Sequence, residues 1–401
     1  MNRIFLALWM CGMLAAVTAD GQTDTTVYKN LAAEIQQKHA PDKRSVFFRT
    51  IIKSDSLIVE STSEAALKEY VQSAKTLKGL KVVQNLLPDS SLGAQTYGIA
   101  NLSVTNNRSN PRNSAEMVTQ LVLGTPVRVL KKEGPFYLVR SPDGYLSYTD
   151  RQAIALMDLA HFKRWQTAEK VIFTADAGHA YSESSVKSSR VSDLVAGNIL
   201  EVKTKQGKFY QVVFPDGRPG YIEKDQLQPY KEWIGKPDPK ADDILTTAKT
   251  MIGVPYLWGG TSVKGVDCSG FTKTSYFLNG IIIPRDASQQ VLAGTAVDIM
   301  DNDKLSTEKC LKNLQPGDLL FFSASKRRGI SGGRVTHTAI YMGKGEFIQS
   351  AGMVMISSLL PGAANYDRSQ VPTIVGARRF LNNIGKPEIT RIDKHQWYNG
   401  D

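Results

Sequence analysis

The spacing of apolar and polar residues changes several times along this chain, and each change marks a unit. Val27 to His39 has a helical spacing that Ala40-Pro41-Asp42 interrupts. Val46-Phe47-Phe48 and Leu57-Ile58-Val59 read as strands around a polar turn, Ser63 to Ala74 as a helix and Leu80 to Val83 as a third strand. These elements predict a small N-terminal α+β region over 23–95.

Beyond it the pattern becomes that of short strands, and it repeats. Gly134-Pro135-Phe136-Tyr137-Leu138-Val139-Arg140-Ser141-Pro142-Asp143-Gly144 aligns with Gly207-Lys208-Phe209-Tyr210-Gln211-Val212-Val213-Phe214-Pro215-Asp216-Gly217, an offset of 73 residues. Leu121-Val122-Leu123-Gly124 meets Leu194-Val195-Ala196-Gly197 at the same offset, and Val129 meets Val202. Each Pro-Asp-Gly lies between alternating apolar segments, as a hairpin loop does. Aromatic-centred strands follow at Tyr145-Leu146-Ser147-Tyr148 and Gly220-Tyr221-Ile222. Two small β-barrels are expected, at 96–155 and 171–232, with a helical linker at 156–170. They resemble bacterial SH3-like (SH3b) domains, in which a F-Y-x-V…G-x-x-G-Y pattern is common.

Trp233 to Pro239 reads as a boundary, 240–382 as one α+β domain and 383–401 as a C-terminal tail. Asp242 to Ile252 has helical spacing at Ile244, Ala248 and Met251. Val254-Pro255-Tyr256-Leu257-Trp258-Gly259-Gly260 and Gly265-Val266-Asp267-Cys268-Ser269-Gly270-Phe271 follow, and the spacing turns helical again through Phe271, Ser275 and Phe277. Cys268 therefore falls at a helix N-terminus, where the dipole and free N–H groups favour thiolate. Such a cysteine is a candidate nucleophile. Small Ser269 and Gly270 would let a substrate carbonyl approach the backbone. Of the five histidines (His39, His161, His179, His337, His395), His337 lies in a strongly patterned strand, Val335 to Met342, and is the candidate base.

Composition narrows the picture. With 401 residues, 42% hydrophobic and 22% charged, the chain is globular with several domains, neither disordered nor collagen-like. The net charge is +11, but no Lys/Arg cluster is interleaved with aromatics, so no nucleic-acid partner is expected. Met1-Asn2-Arg3, the apolar run Ile4 to Val17 and the small residues through Ala19 read as a signal peptide over 1–19. No later apolar run approaches the roughly 20 residues of a membrane span. An exported protein without stable membrane insertion is expected. Cleavage would leave Cys268 and Cys310, which could pair with each other; their surroundings instead suggest a nucleophile and a packed core residue. No cluster has metal-ligand spacing and no phosphate loop is present, so neither metal nor cofactor is expected.

The motifs "PYLWGG…DCSGF", "LQPGDLLFF", "VTHTAIYMG" and "EFIQSAG" follow in the order of the NlpC/P60 cysteine peptidases. With two SH3b-like barrels in front, the chain resembles the bacterial γ-D-glutamyl-L-diamino acid endopeptidases of that family. The resemblance implies an α+β fold: a papain-like NlpC/P60 catalytic domain behind two SH3-like β-barrels. It implies cleavage between D-γ-Glu and meso-diaminopimelate or Lys in peptidoglycan-derived peptides. It maps Cys268 to nucleophile, His337 to general base and Gln349 to the third position, usually His. Tyr256 would border the nucleophile and help the oxyanion site. Asp267, Ser269, Arg285 and Trp258 join the candidate substrate-binding residues, although Asp267 reads equally as a helix cap and Trp258 as core. Asp286 would hold the free α-amine of an L-Ala-γ-D-Glu peptide, and with Gln289 it also reads as a capping box. Glu116 and Tyr148 of the first barrel would complete the amine pocket, with Tyr145 as rival to Tyr148.

Strand parity constrains the third position. His337 and Gln349 share a face only if the intervening hairpin has an odd loop or a bulge, which Gly343 and Gly345 permit. A five-residue loop would set Gln349 opposite Ala339 and diagonal to His337. The resulting expectation is an exported, periplasmic and monomeric peptidase that recycles peptides with free N-terminal L-Ala. A wall-binding protein with an inactive peptidase domain, which Gln349 would favour, and an acyltransferase of the same superfamily are the alternatives.

Overall fold

The computed structural model describes residues 25–77, 79–328 and 333–400. The predicted signal peptide and Cys11 lie outside them. The chain divides into two compact units between Ser91 and Leu92.

In the first unit, helices Thr26–His39 and Glu64–Lys75 cover one face of a three-stranded sheet formed by Phe48–Lys53, Ser56–Ser61 and Lys81–Leu86. The first two strands are antiparallel and the third returns parallel, Leu57 beside Val82. Ser63 starts the crossover helix by accepting the Ala66 N–H on its side chain. Tyr28, Ile35, Tyr70 and Ala74 close over Leu57 and Val59.

The second unit opens with two curved seven-stranded sheets, spanning Tyr97–Met157 and Lys170–Pro229. Both have the same spatial strand order: third, second, sixth, fifth, fourth, first, seventh. The 73-residue offset runs through their irregularities as well. Bulges fall after Val129 and Val202, and left-handed glycines at Gly144 and Gly217, where each Pro-Asp-Gly turn requires positive φ. An insertion inside either copy would have broken this correspondence.

The remaining residues form a six-stranded sheet. Its strands, in spatial order, are Thr295–Val297, Ile374–Arg379, Leu319–Phe322, His337–Gly343, Glu346–Ala351 and Met353–Ser358. Leu319–Phe322 is apolar at every position and buried throughout, because both of its faces are covered. On one side pack the helices Ala241–Thr250 and Cys268–Phe277, through Ile244, Ala248 and Phe271 against Ile340, Ile348 and Val354. Phe322, Ala339, Tyr341 and Phe347 face a second core on the other side.

Two segments differ from the simplest sequence reading. The 156–170 stretch is not a free linker: its helix, Leu159–Thr167, buries Phe162 and Trp165. The C-terminal tail is also an integral part of the fold. Thr390–Arg391 pairs with Ile281–Ile282, His395 Nε2 lies 3.0 Å from the Pro142 carbonyl, and Tyr398 is buried beside Trp165 and Trp233. Sparse apolar residues at Ile389, Ile392, Trp397 and Tyr398 gave no period to read. Cys268 and Cys310 are both unpaired thiols, so they form no disulfide. No helix among the described residues is long and apolar enough to cross a membrane.

Tyr398→Ala should test the strap: emptying that site is expected to lower stability by about 3–5 kcal/mol, read as a lower urea midpoint. An unchanged midpoint would mean that the tail contributes nothing.

Candidate active site

The site is built around the N-terminus of the Cys268–Phe277 helix. Asp267 is its N-cap: Oδ1 accepts the Gly270 N–H at 2.6 Å. Its other oxygen accepts the Gly259 N–H at 2.9 Å, tying the Pro-Tyr-Leu-Trp-Gly-Gly loop to the helix. Arg285 closes the arrangement from beneath, 2.6 Å from Asp267 Oδ2, with further bonds to Ser269 Oγ at 3.0 Å and Thr119 Oγ1 of the first barrel at 2.9 Å. Asp267, Ser269 and Arg285 are all buried, and their polar atoms bind one another. These three candidate substrate contacts therefore work inside the protein, setting the loop and helix around the cysteine.

The glycines of the motifs are explained by close approach. A Cβ on Gly270 would fall onto the Gly260 carbonyl, and one on Gly259, where φ is +77°, would come within 2.6 Å of the Met117 carbonyl. The first barrel therefore presses directly on this loop. Gln120 reinforces the contact: its side-chain oxygen accepts the Thr261 N–H at 3.0 Å and its backbone carbonyl accepts the Thr261 hydroxyl.

Cys268 occupies the first helical position, with its sulfur against the backbone of the His337 strand. Sγ lies 4.0 Å from the Thr336 carbonyl and accepts the Thr338 N–H, contacts on either side of His337. The His337 ring packs edge-on against Phe322, with centroids 5.0 Å apart. Its Nε2 lies 2.7 Å from Gln349 Oε1. The hairpin register sets Ile340 opposite Ile348, with a bulge between Tyr341 and Gly343, which continues to Ala339 opposite Gln349. Gln349 thus reaches His337 diagonally across two strands.

The amide of Gln349 has a defined orientation. Its Nε2 donates to Asp367 Oδ2 at 2.8 Å and to Ser357 Oγ at 2.9 Å. A carboxylate only accepts, so the amide nitrogen faces Asp367 and the amide oxygen faces His337. His337 Nε2 must then carry the hydrogen, which leaves Nδ1 with a free lone pair. Asp367 was not singled out from sequence. It lies in an irregular stretch, and only the local Asp-x-Ser-Gln pattern, which forms a turn through Ser369 and Gln370, hinted at a polar role.

The protonation states differ from the sequence expectation. Burial, together with the nearby Asp267 charge, pushes the Cys268 thiol up to about 12 despite the helix N-terminus. Burial also lowers His337 below its ordinary value, against the raising effect of the Gln349 bond. The thiol and the imidazole both rest neutral. Tyr256 is held protonated by burial and by the nearby Asp267 charge, so its hydroxyl is a donor. Tyr256, Thr336, His337, Ser350, Gly352, Gln370 and Thr373 line a cleft of about 390 Å³.

At the barrel-facing end, Asp286 caps the helix Ala287–Gln290 in a capping box with Gln289. Its Oδ2 lies 3.3 Å from the Tyr145 hydroxyl of the first barrel. The Tyr148 hydroxyl instead lies 3.4 Å from Glu133. Three positions along an extended chain put the two tyrosines on opposite faces, which loose alignment alone could not decide. Glu116 accepts the indole N–H of the exposed Trp258 at 2.8 Å, so Trp258 is not a core residue. Among the described residues no group of His, Cys, Asp and Glu could hold a metal ion.

Comparison with known proteins accords with this geometry. Residues 253–367 match the NlpC/P60 family and residues 107–154 the bacterial dipeptidyl-peptidase Sh3 domain. A γ-D-glutamyl-L-lysine dipeptidyl-peptidase of Bacillus cereus is 30% identical over 278 residues, 67% of this chain and 77% of the relative. The chain belongs to the NlpC/P60 family. It is a peptidase of that family with an SH3-type domain in front. Dipeptidyl-peptidase 6 of Lysinibacillus sphaericus is 29% identical over 61% of this chain and 83% of its own. A crystal structure of an NlpC/P60 family protein from Bacillus cereus superposes with a TM-score of 0.57 at 26% identity, over 71% of this chain and 99% of its own. An NlpC/P60 endopeptidase of Photobacterium damselae, at 18% identity and a TM-score of 0.55 over 73% of this chain and 74% of its own, shares the fold.

Two outcomes follow from the site. Arg285→Leu should cost about 3–5 kcal/mol in a denaturant titration, because Asp267 would be left buried without its cation. A cost near zero would show that the pair is dispensable. Iodoacetamide alkylation of Cys268, followed by peptide mapping, should accelerate with pH beyond about pH 8, as a neutral thiol requires. A rate that levels off well below neutrality would instead reveal a preformed thiolate.

Proposed function

We propose that this protein is a cysteine peptidase that cuts the bond between D-γ-Glu and a diamino acid in peptidoglycan stem peptides with a free N-terminal L-Ala. The observation that carries the reading is the Cys268 sulfur lying against the His337 strand, with His337 Nε2 held by Gln349 and Nδ1 left basic. The names of the relatives, which include γ-D-glutamyl-L-lysine dipeptidyl-peptidases and a γ-DL-glutamyl hydrolase, support the choice of bond.

In this reading Nδ1 of His337 takes the thiol proton as Sγ attacks the γ-carbonyl carbon. The backbone N–H of Cys268 and the Tyr256 hydroxyl receive the developing oxyanion. Collapse breaks the C–N bond, and the imidazolium returns its proton to the leaving amine. A water, deprotonated by His337, then hydrolyses the thioester and releases L-Ala-D-Glu and free cysteine. Because both dyad members rest neutral, proton transfer accompanies attack. Asp286 with the Tyr145 hydroxyl beside it supplies a carboxylate and a hydroxyl suited to an ammonium group, and Glu116, beside Trp258, adds a second acid from the first barrel. A muramyl-lactyl substituent on that amine would remove the charge and add bulk, so released peptides fit better than intact wall. The periplasm suits a recycling enzyme, and the residues 1–19 that suggest export lie outside the described structure.

Purified protein should release L-Ala-D-Glu from L-Ala-γ-D-Glu-meso-diaminopimelate but leave the N-acetylated peptide intact, as read by mass spectrometry. Cys268→Ala should abolish release, and Asp286→Asn should raise KM about tenfold or more. Equal cleavage of both peptides would remove the amine pocket from the account. No cleavage of either, with binding retained, would favour a wall-binding role. kcat/KM should fall with acid, since protonated His337 cannot accept the thiol proton, with a midpoint below the ordinary histidine value of 6.5.

A further inference from the structure

We infer that Asp367 is a positioning residue for the reaction, acting through Gln349 to fix the tautomer of His337. This rests on the reading of His337 as the general base.

A glutamine in the third position has a difficulty that a carboxylate does not. Its two ends are nearly the same shape, one a donor and the other an acceptor. With the oxygen toward His337, imidazole Nε2 must be the protonated nitrogen and Nδ1 is the base. With the nitrogen toward His337, Nε2 must accept, the proton moves to Nδ1, and the nitrogen needed for the thiol proton is blocked. Something outside the amide must choose.

Two groups face the amide nitrogen. The Ser357 hydroxyl, at 2.9 Å, can donate or accept and therefore cannot choose. Asp367 Oδ2, at 2.8 Å, accepts only and so does choose. Its other oxygen accepts the Ser369 N–H and hydroxyl and the Gln370 N–H, at 3.1, 2.8 and 2.9 Å, which aims the carboxylate. Partial burial opposes ionisation of Asp367, yet these bonds and the one from Gln349 hold it below the ordinary carboxylate range. Gln349 and Ser357 are buried, so bulk water does not compete for the amide. The Asp367 charge also favours imidazolium through the intervening amide. A chain of Asp367, Gln349 and His337 results, in which the neutral amide passes on an orientation set by an ion.

Asp367→Asn tests the idea with little change of shape, since Asn retains an oxygen for the Ser369 and Gln370 turn. Its amide nitrogen would then face Gln349 and favour the flipped amide. In protein labelled with 15N-histidine, the His337 signal, assigned by its loss in His337→Gln, should report the Nε2–H tautomer in the wild type. In Asp367→Asn it should move toward Nδ1–H. kcat for the tripeptide should drop about tenfold or more with KM little changed. In a Gln349→Leu background, where no polar group relays the orientation, the same substitution should cost less than about twofold. An unchanged tautomer in a folded Asp367→Asn protein would overturn the inference, whatever the activity. Equal losses in both backgrounds would overturn it too. The tautomer measurement needs no substrate, so it stands apart from the peptidase reading. Activity surviving in His337→Gln would sink that reading alone.

Discussion

The buried pair between Asp267 and Arg285 organises the site. Asp267 is at once the cap of the cysteine's helix, the anchor of the Gly259 loop and the counter-charge of an arginine that also grips the first barrel. An ion pair removed from water adds little net stability, but it strongly penalises any arrangement that leaves one partner alone. Its value here lies in geometry. Helix, loop and barrel must all be in place for the pair to be satisfied, and the position of Cys268 follows.

The same economy of charge shapes the chemistry. Cys268 is buried and His337 is packed at the edge of the cleft, and desolvation suppresses the ionised form of both. A preformed thiolate–imidazolium pair is thereby disfavoured, and the proposed mechanism needs its base in the right tautomer when substrate arrives. A neutral third residue is compatible with that demand, because its task is to orient the imidazole rather than to neutralise an existing charge. Substituting glutamine for the usual histidine need not signal a dead enzyme.

Much of this was legible in the sequence. The 73-residue repeat gave both barrels, down to the turn glycines Gly144 and Gly217, because hairpins impose turn chemistry locally. The position of Cys268 could be read because a helix start has its own grammar of caps and spacing. The diagonal approach of Gln349 to His337 followed from strand parity. Other features depend on residues far apart in the chain and carry no local pattern. Arg285 and Ser269 looked like substrate contacts until the fold turned them toward Asp267. Tyr145 and Tyr148 are three residues apart, and only the barrel's register says which reaches Asp286. Burial reversed the tendency of the helix N-terminus to ionise Cys268, and burial is a property of the whole packed unit. The C-terminal strap hides for the same reason: Tyr398 finds its partners more than a hundred residues away.

The proposed substrate is a short peptide with its amine at Asp286 and its scissile carbonyl at Cys268. A crystal structure of the Cys268→Ala protein with L-Ala-γ-D-Glu-meso-diaminopimelate tests it most directly. The account predicts the ammonium among Asp286, Tyr145 and Glu116, the γ-carbonyl oxygen near the residue 268 N–H and the Tyr256 hydroxyl, and the diamino acid in the cleft beside Thr336 and Gln370. A peptide bound in the reverse direction, or with its amine in open solvent, would contradict it.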